Sequence, residues 1–590
     1  MNDVSEILKA AIQSHQTGNL QKAEQLYGQV IEENPDHPIA LHWLGIVAHQ
    51  KGQNDIAIDL ITQAIASNPQ NPQFRNTQGL VFEAIGKTDE AICSYKKAIS
   101  LNPDYAEAYL NLAISLQSSD NFGEAVEKCN QIISLFGGSA QVYNLMGYSL
   151  QQQDNFSEAI ENYRQAIRLE PDFAEPYNHI GVIFNQQQRY KQAVENCKKA
   201  LELDSNYVEA YSNLGVALNG LTLYAEAIEN YKKAISLDSQ YPDAYYNLGN
   251  CLRNQNQCEQ AIRIYKKAIR IDPDYAKAHW NLAISLLLTG RFSEGWAEYK
   301  WRREVGLISY PYHYDQPYWD GSSFAGKRLL VHHEQGFGDN IQFIRYLPMV
   351  KQLGGTVILE MEKPLYELFR QINGVDEFVQ ASSDSTPPDV NFDFHIPTLD
   401  MPRLFGTTLE NIPCKVPYLY AESAKTEYWR NRLDSESFKV GLVWAGDTRH
   451  GNDHNRSCPL KHFAPLTKIE GVKLYGLQKE ISRQLSELAT DMEISCLSEE
   501  FEDFTDTAGA IENMDLVISV DTSVLHLAGA MGKPVWALIP FAPDWRWMLD
   551  RQDSPWYPTM RLFRQKERGN WDELFTTVAQ QLKILVGKKC

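Results

Sequence analysis

A repeat with a period of 34 residues occupies the first half of this 590-residue chain. Pro35 and Pro69 stand one period apart, and this position, which we call the beat, recurs every 34 residues without insertion. The beat positions are Pro35, Pro69, Pro103, Gly137, Pro171, Ser205, Ser239 and Pro273. Because a fixed period of this length is typical of stacked supersecondary units, we expect a repeat array over this half and not a single core.

Small residues recur at two fixed positions of each period. The first set, ten residues after each beat, is Gly45, Gly79, Ala113, Gly147, Gly181, Gly215, Gly249 and Ala283. The second set, twelve residues further on, is Ala57, Ala91, Ala125, Ala159, Ala193, Ala227, Ala261 and Gly295. One small residue per helix lets two antiparallel helices approach closely, and the proline or its substitute closes the second helix.

The pattern resembles the tetratricopeptide repeat and covers roughly Val4 to Arg303, about nine repeats. The resemblance implies an all-α superhelix over residues 1–305 whose concave groove binds a protein or peptide. Eight residues after the beat, several repeats carry asparagine, namely Asn111, Asn213, Asn247 and Asn281. In the O-GlcNAc transferase array, which this array resembles, asparagines at this position hold the backbone of an extended polypeptide. An amide suits that role because it donates and accepts at once, although a solvated helix position would tolerate the same residues.

Composition restricts the function classes. The net charge of -20 disfavours a nucleic-acid-binding surface or binding to anionic membranes. The nine cysteines are scattered without a C-x-x-C pair, which predicts a reducing cytoplasm and no zinc site. No apolar run is long enough to cross a membrane, and no signal peptide is recognisable. We therefore expect a cytoplasmic protein without a membrane span.

The second half alternates short apolar runs with helical patterns, after an aromatic linker over residues 306–326 in which Tyr310 to Trp319 is expected to pack against the last repeat. Strands are predicted at 328–332, 356–360, 377–380, 439–444, 472–477, 516–520, 534–539 and 560–563. Helices are predicted at 341–353, 364–372, 481–490, 504–512, 524–531 and 571–586. This alternation predicts an α/β region with parallel sheets, divided into two Rossmann-like halves, 327–430 and 431–590. Such sheets bind ligands at the carboxyl ends of their strands.

The first of these strand ends is a glycine loop. Gly336 and Gly338 follow the apolar run Arg328 to His332 and lead into a helix, which places Asp339 at or near the helix start. A carboxylate there is stabilised by the helix dipole and could accept a proton from a bound hydroxyl. A simple helix cap would have the same sequence signature.

Two further strand ends carry polar residues. Asp521, Thr522 and Ser523 follow a strand and open a helix, which predicts an anion pocket suited to a diphosphate, with His526 one turn further. An ordinary N-cap cluster with a core histidine is the alternative. The loop from Gly446 to Ser457 brings three cations to the same edge, where guanidinium groups would suit a leaving diphosphate: Arg449, Arg456 and Lys461. Ordinary surface charges are the alternative there.

Together these segments resemble the heptosyltransferase-like (family 9) glycosyltransferases of the GT-B fold, from about Lys327 to Gly587. The resemblance rests on the Gly-Asp loop, on Trp444-Ala445-Gly446, and on Asp-Thr-Ser-x-x-His. It implies Asp339 as general base and a donor site formed by Gly336, Gly338, Gly446, Arg456, Asp521, Thr522, Ser523 and His526. Two departures bear on the donor: Ser523 replaces the family's glycine, and Arg456 is assigned in place of a phosphate-binding lysine.

These features predict an inverting glycosyltransferase with a nucleotide-diphosphate sugar as donor and a hydroxyl on a protein or peptide as acceptor. Metal dependence is disfavoured because the only Asp-x-Asp, Asp272-Pro273-Asp274, lies in a repeat turn. A binding scaffold without turnover, or a transferase for glycans whose repeats serve only assembly, would fit the same sequence. Two tryptophan-rich segments, Asp544 to Trp547 and Ser554 to Pro558, are expected either to stack a base, to close the cleft or to pack. The segment Phe501 to Ala508 is expected either to cap a helix or to meet ribose hydroxyls.

Overall fold

The computed structural model describes residues 4–306, 314–334, 336–382, 386–449, 451–479 and 492–588. The helix predicted at 481–490 lies outside these residues, as does the first part of the aromatic linker. The chain forms two compact units, Met1–Ser239 and Gln240–Cys590. The predicted fold class is confirmed, since a helical repeat array over residues 4–303 is followed by an α/β region with two parallel sheets.

The first unit consists of seven antiparallel helix pairs within the described residues. Its helices are α1 Val4–Gln16, α2 Leu20–Glu33, α3 Pro38–Gln50, α4 Asn54–Ser67, α5 Pro72–Ala84, α6 Thr88–Leu101, α7 Ala106–Ser118, α8 Phe122–Phe136, α9 Ala140–Gln152, α10 Phe156–Leu169, α11 Ala174–Gln186, α12 Tyr190–Leu203, α13 Val208–Gly220 and α14 Tyr224–Leu237. Each second helix ends two residues or fewer before a beat position, as the sequence predicted.

The recurring glycines explain how closely the helices of a pair approach. A Cβ on Gly79 would lie 2.5 Å from the ring of Tyr95, and one on Gly215 would lie 2.5 Å from the ring of Tyr231. Both tyrosines are fully buried in the second helix of their repeat. The first helix therefore supplies a gap and the second fills it with an aromatic ring, which holds the packing density of the array at that of a protein core.

The second unit begins with the last two repeats and continues into the α/β region. The repeat helices are α15 Pro242–Asn254, α16 Cys258–Ile271, α17 Ala276–Leu288 and α18 Phe292–Tyr299, followed by a 3₁₀ helix at Lys300–Arg303. Trp296 on α18 is buried and donates its indole N–H to the carbonyl of Thr407 at 3.0 Å. The last repeat thus shares the hydrophobic core of the α/β region.

The first sheet has four parallel strands in the order β3-β2-β1-β4, and the second has six in the order β10-β9-β8-β5-β6-β7. The strands are β1 Arg328–His332, β2 Thr356–Met361, β3 Glu377–Gln380, β4 Phe394–Pro397, β5 Phe438–Val443, β6 Val472–Gly476, β7 Ser495–Cys496, β8 Leu516–Val520, β9 Val535–Ile539 and β10 Met560–Arg564. All eight predicted strands are present. The sequence missed β4 and β7, since β4 is a short edge strand flanked by polar residues and β7 has only two residues.

The helices of the α/β region are short except for the last, Trp571–Gly587. They span Phe337–Phe343, Leu347–Gln352, Lys363–Phe369, Met401–Leu404, Ser423–Arg430, Asp453–Arg456, Ala464–Thr467, Phe504–Glu512, Ser523–Ala530 and Trp571–Gly587. Further 3₁₀ helices lie at Ile344–Tyr346, Thr398–Asp400, Leu460–Phe463, Ser498–Glu500 and Trp545–Trp547. The single helix predicted at 341–353 was wrong in outline: the first helix starts four residues earlier, and the 3₁₀ turn at Ile344–Tyr346 separates it from the next.

Within the described residues, no helix combines the length and apolar character needed to cross a membrane. The part of the aromatic linker from Tyr314 onward lies against β4, where the backbone N–H of Trp319 donates to the carbonyl of His395 at 2.9 Å. Arg303, at the end of the last repeat, lies over the ring of Tyr318 at 4.2 Å. The linker therefore joins the last repeat to the edge of the first sheet.

Candidate functional site

The glycine loop after β1 turns directly into the helix Phe337–Phe343. Gly336 has a φ of 84° and is the N-cap of this helix, without a capping side chain. Asp339 is the third residue of the helix, so the interpretation of Asp339 as the cap is wrong. A Cβ on Gly336 would lie 2.6 Å from Oδ2 of Asp339, which makes glycine necessary there for two reasons: the positive φ and the nearby carboxylate.

Asn340 fixes the shape of the loop. Its buried amide donates to the carbonyls of Glu334 at 2.9 Å and Gly336 at 3.1 Å. Its Oδ1 accepts from the hydroxyl of Thr398 at 2.8 Å. Since this side chain spans the loop from start to end, Asp339 is held in one position relative to β1.

The helix Phe337–Phe343 packs against the helix Ser523–Ala530, which follows β8 of the second sheet. A Cβ on Gly338 would lie 2.8 Å from Cδ2 of His526 and 3.5 Å from Cα of Ser523. The structure therefore brings the Gly-Asp loop and the Asp-Thr-Ser-x-x-His segment together, although they belong to different sheets. A side chain at Gly338 would therefore meet the second segment.

His526 lies inside this contact as a neutral ring. Its Nδ1 is 2.9 Å from the hydroxyl of Tyr557, and its Nε2 is 3.8 Å from Oδ1 of Asp521. The ring also stacks on Trp547 with 5.5 Å between centroids. Burial, together with nearby arginines, holds the pKa of His526 well below its ordinary value, so the imidazole is uncharged at neutral pH.

The N-cap of the helix Ser523–Ala530 is Thr522, whose side chain makes no capping hydrogen bond. The Thr522 hydroxyl lies 3.2 Å from the hydroxyl of Ser519 instead. First-turn amides of a helix have no intrahelical partner, so this end of the helix is suited to an anion. As the sequence predicted, Asp521 lies between the end of β8 and the start of this helix.

Arg456 and Gly446 meet at the same edge. The Arg456 guanidinium donates to the carbonyl of Asp521 at 3.2 Å and to Oδ1 of Asp453 at 3.3 Å. A Cβ on Gly446 would overlap this guanidinium. By contrast, Arg449 forms an ion pair with Asp447 at 2.6 Å and its side chain is 87% exposed. Of these two arginines, Arg456 is the one that reaches the site.

Arg546, which the sequence analysis did not single out, is the central cation of the site. It is buried and forms an ion pair with Asp339, a second with Asp544 at 2.8 Å, and a hydrogen bond to Oε1 of Gln342 at 2.6 Å. It also lies over the ring of Trp545 at 4.5 Å. Its neighbours in the sequence, Trp545 and Trp547, are buried packing residues, which decides against base stacking by that stretch.

Two carboxyl groups of the site, Asp339 and Asp521, have raised pKa values. Burial raises the pKa of Asp339 from 3.8 to about 6, with Arg546 opposing the shift and Asp544 adding to it. Burial also raises the pKa of Asp521 from 3.8 to about 6, with Asp544 adding to it. Carboxyl groups with perturbed pKa values are frequent at functional sites. The acidic segment after Phe501 has an ordinary role, since Asp503 accepts from the backbone N–H of Thr505 at 2.7 Å and caps the next helix.

The asparagine register has a structural role that the sequence did not reveal. The amide of Asn111 donates to Oδ1 of Asn76 at 3.1 Å, and that of Asn213 donates to Oδ1 of Asn178 at 2.9 Å. In the second unit, Asn281 donates to Oδ1 of Asn250 at 2.8 Å. In the first unit these bonds connect one position of a repeat to the position 35 residues earlier. Asn247 occupies the equivalent position in its own repeat.

Among the residues that the structure describes, no group of three or more His, Cys, Asp or Glu side chains is arranged to hold a metal ion.

Comparison with known proteins identifies the repeats. The family described as TPR repeat matches residues 79–119, 147–188, 181–220, 224–252 and 249–290, and the tetratricopeptide repeat family matches residues 15–80. The N-terminal helices are therefore a tetratricopeptide repeat array. Protein FlbA of Caulobacter vibrioides (strain ATCC 19089 / CIP 103742 / CB 15) is 28% identical over 323 residues, which cover 51% of this chain and 54% of FlbA. The chain thus spans about half the length of that curated relative.

Solved structures share the repeats at low similarity. The APC/C hetero-tetramer Cut9-Hcn1 is 18% identical with a TM-score of 0.36 and covers 48% of this chain and 55% of its own. MamA is 26% identical with a TM-score of 0.25 and covers 27% of this chain and 94% of its own. Likenesses of this size carry no argument about function.

Proposed function

We propose that the protein is an inverting glycosyltransferase that moves a sugar from a nucleotide-diphosphate donor to a hydroxyl group on a protein or peptide bound by the tetratricopeptide repeats. The observation that carries the proposal is the contact of Gly338 with His526 and Ser523. It joins a carboxylate-bearing loop of one parallel sheet to an anion-suited helix end of the other. Two such sheets meeting at their carboxyl edges support a ligand bound between them.

The donor diphosphate would bind at the start of the helix Ser523–Ala530. The helix end and the hydroxyl of Thr522 offer hydrogen-bond donors, and Arg456 lies beside the carbonyl of Asp521 at 3.2 Å. As the bond between the sugar and the diphosphate breaks, negative charge grows on the leaving phosphate oxygen. Fixed donors and a guanidinium aimed at that oxygen stabilise the transition state.

Asp339 would act as general base on the acceptor hydroxyl. A general base works best when its pKa lies near the operating pH, and burial raises the pKa of Asp339 to about 6. The ion pair with Arg546 keeps the carboxylate oriented. After it takes the proton, the acceptor oxygen attacks the anomeric carbon from the face opposite the diphosphate, which inverts the configuration at that carbon.

The acceptor would be a polypeptide because a tetratricopeptide array presents an extended surface for chains of that kind. The asparagines of the register, Asn111, Asn213, Asn247 and Asn281, are proposed to line that surface. In three of them the amide N–H is engaged with the preceding repeat. Asn111 and Asn213 each use one of their two amide N–H groups in this way, so the second N–H and the amide oxygen would serve a bound backbone, whereas Asn281 donates to both Tyr246 and Asn250.

A binding module without turnover is the second candidate, and the specific observation that favours it is the ion pair of Asp339 with Arg546. A carboxylate that remains bound to a guanidinium cannot accept a proton easily. Turnover measurements separate the two candidates.

The experiment starts from a thermal-shift screen across nucleotides, since a ligand that binds only the folded state raises its stability. Hydrolysis and transfer are then measured with the matching nucleotide sugar for the wild type, Asp339→Asn and the control Asp447→Asn, whose carboxylate forms an exposed ion pair with Arg449. We expect Asp339→Asn to lower turnover by about 10²–10⁴-fold with donor affinity unchanged. Equal rates in wild type and Asp339→Asn, or no turnover in either, would overturn the enzyme function.

A further inference from the structure

A buried ion network connects the last repeat to the glycine loop. Arg302 belongs to the 3₁₀ helix Lys300–Arg303, and its side chain is 1% exposed, as are those of its partners Glu334 and Asp400. Its Nε and Nη2 each donate to one oxygen of Glu334 at 2.8 Å. Its Nη1 lies 2.6 Å from Oδ1 of Asp400. The guanidinium therefore holds Glu334 in both distance and orientation.

Glu334 passes this constraint to the glycine loop. Its backbone carbonyl accepts from the amide of Asn340 at 2.9 Å, and the same amide donates to the carbonyl of Gly336 at 3.1 Å. Asp339 lies between Gly336 and Asn340 in the sequence. A displacement of Glu334 would therefore change the point to which the loop is anchored and, with it, the position of the Asp339 carboxylate.

A second set of contacts leads from the same repeat to the cation that pairs with Asp339. The rings of Trp296 and Tyr299 pack edge-on against Trp545, with centroid distances of 5.3 Å and 6.3 Å. Arg546 lies over the ring of the same Trp545 at 4.5 Å and pairs with Asp339. The 3₁₀ helix thus contacts Glu334 at the start of the glycine loop, and α18 contacts Trp545 beside Arg546.

We infer that Arg302 is a positioning residue for Asp339, so that the last tetratricopeptide repeat is a structural part of the active site and not only an acceptor-binding element. The inference rests on the proposed function, since it assigns Arg302 a role in placing the general base. Buried ion pairs are often replaceable by apolar residues without loss of stability. A network kept at this place therefore fits a role in geometry better than a role in stability.

The test uses the full chain and four proteins. Arg302→Met combined with Glu334→Gln removes the pair without leaving a buried charge on Glu334, and Arg302→Lys keeps one cation between the two carboxylates. Arg303→Met is the matched control, because Arg303 belongs to the same 3₁₀ helix and pairs with Asp400 and Tyr318. Removing Arg303 disturbs the network while Arg302 still holds Glu334.

Two readouts are measured. The first is hydrogen exchange of the backbone amides from Gly336 to Asn340, which needs no ligand. The second is kcat and KM for hydrolysis of a panel of ADP-, GDP- and UDP-sugars. In the double variant we expect exchange at the loop to be faster by about tenfold, kcat to fall by about 100-fold, and KM for the donor to stay within about twofold. Arg302→Lys should recover about tenfold of the lost kcat, and Arg303→Met should behave like the wild type.

Loop exchange that is unchanged in the double variant, or that rises equally in Arg303→Met, would overturn the inference. If the double variant does not fold, Arg302→Lys and Arg303→Met decide alone, and equal exchange and kcat in these two would overturn it as well. If the wild type hydrolyses none of the sugars in the panel, the proposed function fails, whereas the exchange comparison still decides whether Arg302 holds the loop.

Discussion

Arg546 forms an ion pair with Asp339 across a sequence separation of 207 residues. The two residues follow strands of different sheets, Asp339 after β1 of the first sheet and Arg546 after β9 of the second. Arg546 also pairs with Asp544 and hydrogen bonds to Gln342. It therefore links the segment after β9 to the helix Phe337–Phe343, which carries the candidate base.

Replacement of Arg546 by methionine should destabilise the second unit by about 2 kcal/mol, because it leaves the half-buried carboxylate of Asp339 without its partner. The pKa of Asp339 should rise further for the same reason. Urea unfolding measures the loss. The matched control is Arg551→Met in the neighbouring loop, whose pair with Asp553 is largely exposed and should cost less than about 1 kcal/mol. Similar losses in both variants would contradict the importance of the Arg546 pair.

Asp339 and Asp521 should each contribute stability that is lost as the pH rises from about 4 to about 6. Both have an ordinary pKa of 3.8 and a pKa of about 6 in the folded protein. Within this window these two groups retain protons in the folded protein that they release in the unfolded chain, so their contribution to the free energy of unfolding decreases with rising pH. Buried histidines act in the opposite direction, for example His333, whose pKa burial lowers to about 4. Asp521→Asn removes one carboxyl contribution, so its free energy of unfolding should rise more steeply with pH than that of the wild type in urea unfolding measured across the window.

The control for the pH dependence is Asp447→Asn. Arg449 lowers the pKa of Asp447 to about 2, so this carboxyl group is ionised in both folded and unfolded chains above about pH 4. Its removal should leave the slope between pH 4 and 6 unchanged. If the profile of Asp521→Asn runs parallel to that of the wild type, Asp521 does not titrate in this range.

Replacement of Gly338 by alanine should destabilise the protein by about 1–3 kcal/mol. The new Cβ would lie 2.8 Å from Cδ2 of His526, so the helices Phe337–Phe343 and Ser523–Ala530 would have to move apart. Gly587→Ala is the control within the same unit, because a Cβ there meets no atom within 4 Å. Thermal unfolding should separate the two variants by several degrees. Equal stability would mean that the two helices can separate without cost.

Replacement of Asn213 by alanine should destabilise the repeat array by about 1 kcal/mol, because it removes the hydrogen bond to Oδ1 of Asn178. Asn230→Ala is the control, since the Asn230 amide donates only locally, to the carbonyl of Glu226 in the same helix. Urea unfolding compares the two. If Asn213→Ala weakens binding of an acceptor peptide more than its loss of stability explains, the same side chain also serves the groove.

The sequence predicted the features that repeat or that are local. The period of 34 residues predicted the helix pairs, and the apolar runs predicted eight strands because burial on both faces leaves a continuous apolar segment. The glycine loop was predicted as a turn into a helix, but the predicted helix began at residue 341 and the observed one begins at Phe337. The start was misplaced because Gly338, a poor helix former, lies within its first turn.

Long-range pairs could not be predicted in this way. Arg546 stands between two tryptophans, and nothing in its neighbours indicates that its partner is Asp339. Likewise, Arg302 resembles any cation at the end of a repeat, while its partner Glu334 lies beyond the linker. The roles of both arginines are set by how the sheets and the last repeat pack, which periodicity does not encode.

The division of the chain after Ser239 places the last two repeats with the α/β region and the first seven in a unit of their own. Whole repeats could therefore be gained or lost upstream of Gln240 while Trp296, Arg302 and their partners stay in place. In evolution, the length of the array would be free to change between lineages. The surroundings of Asp339 would be inherited unchanged with the final two repeats.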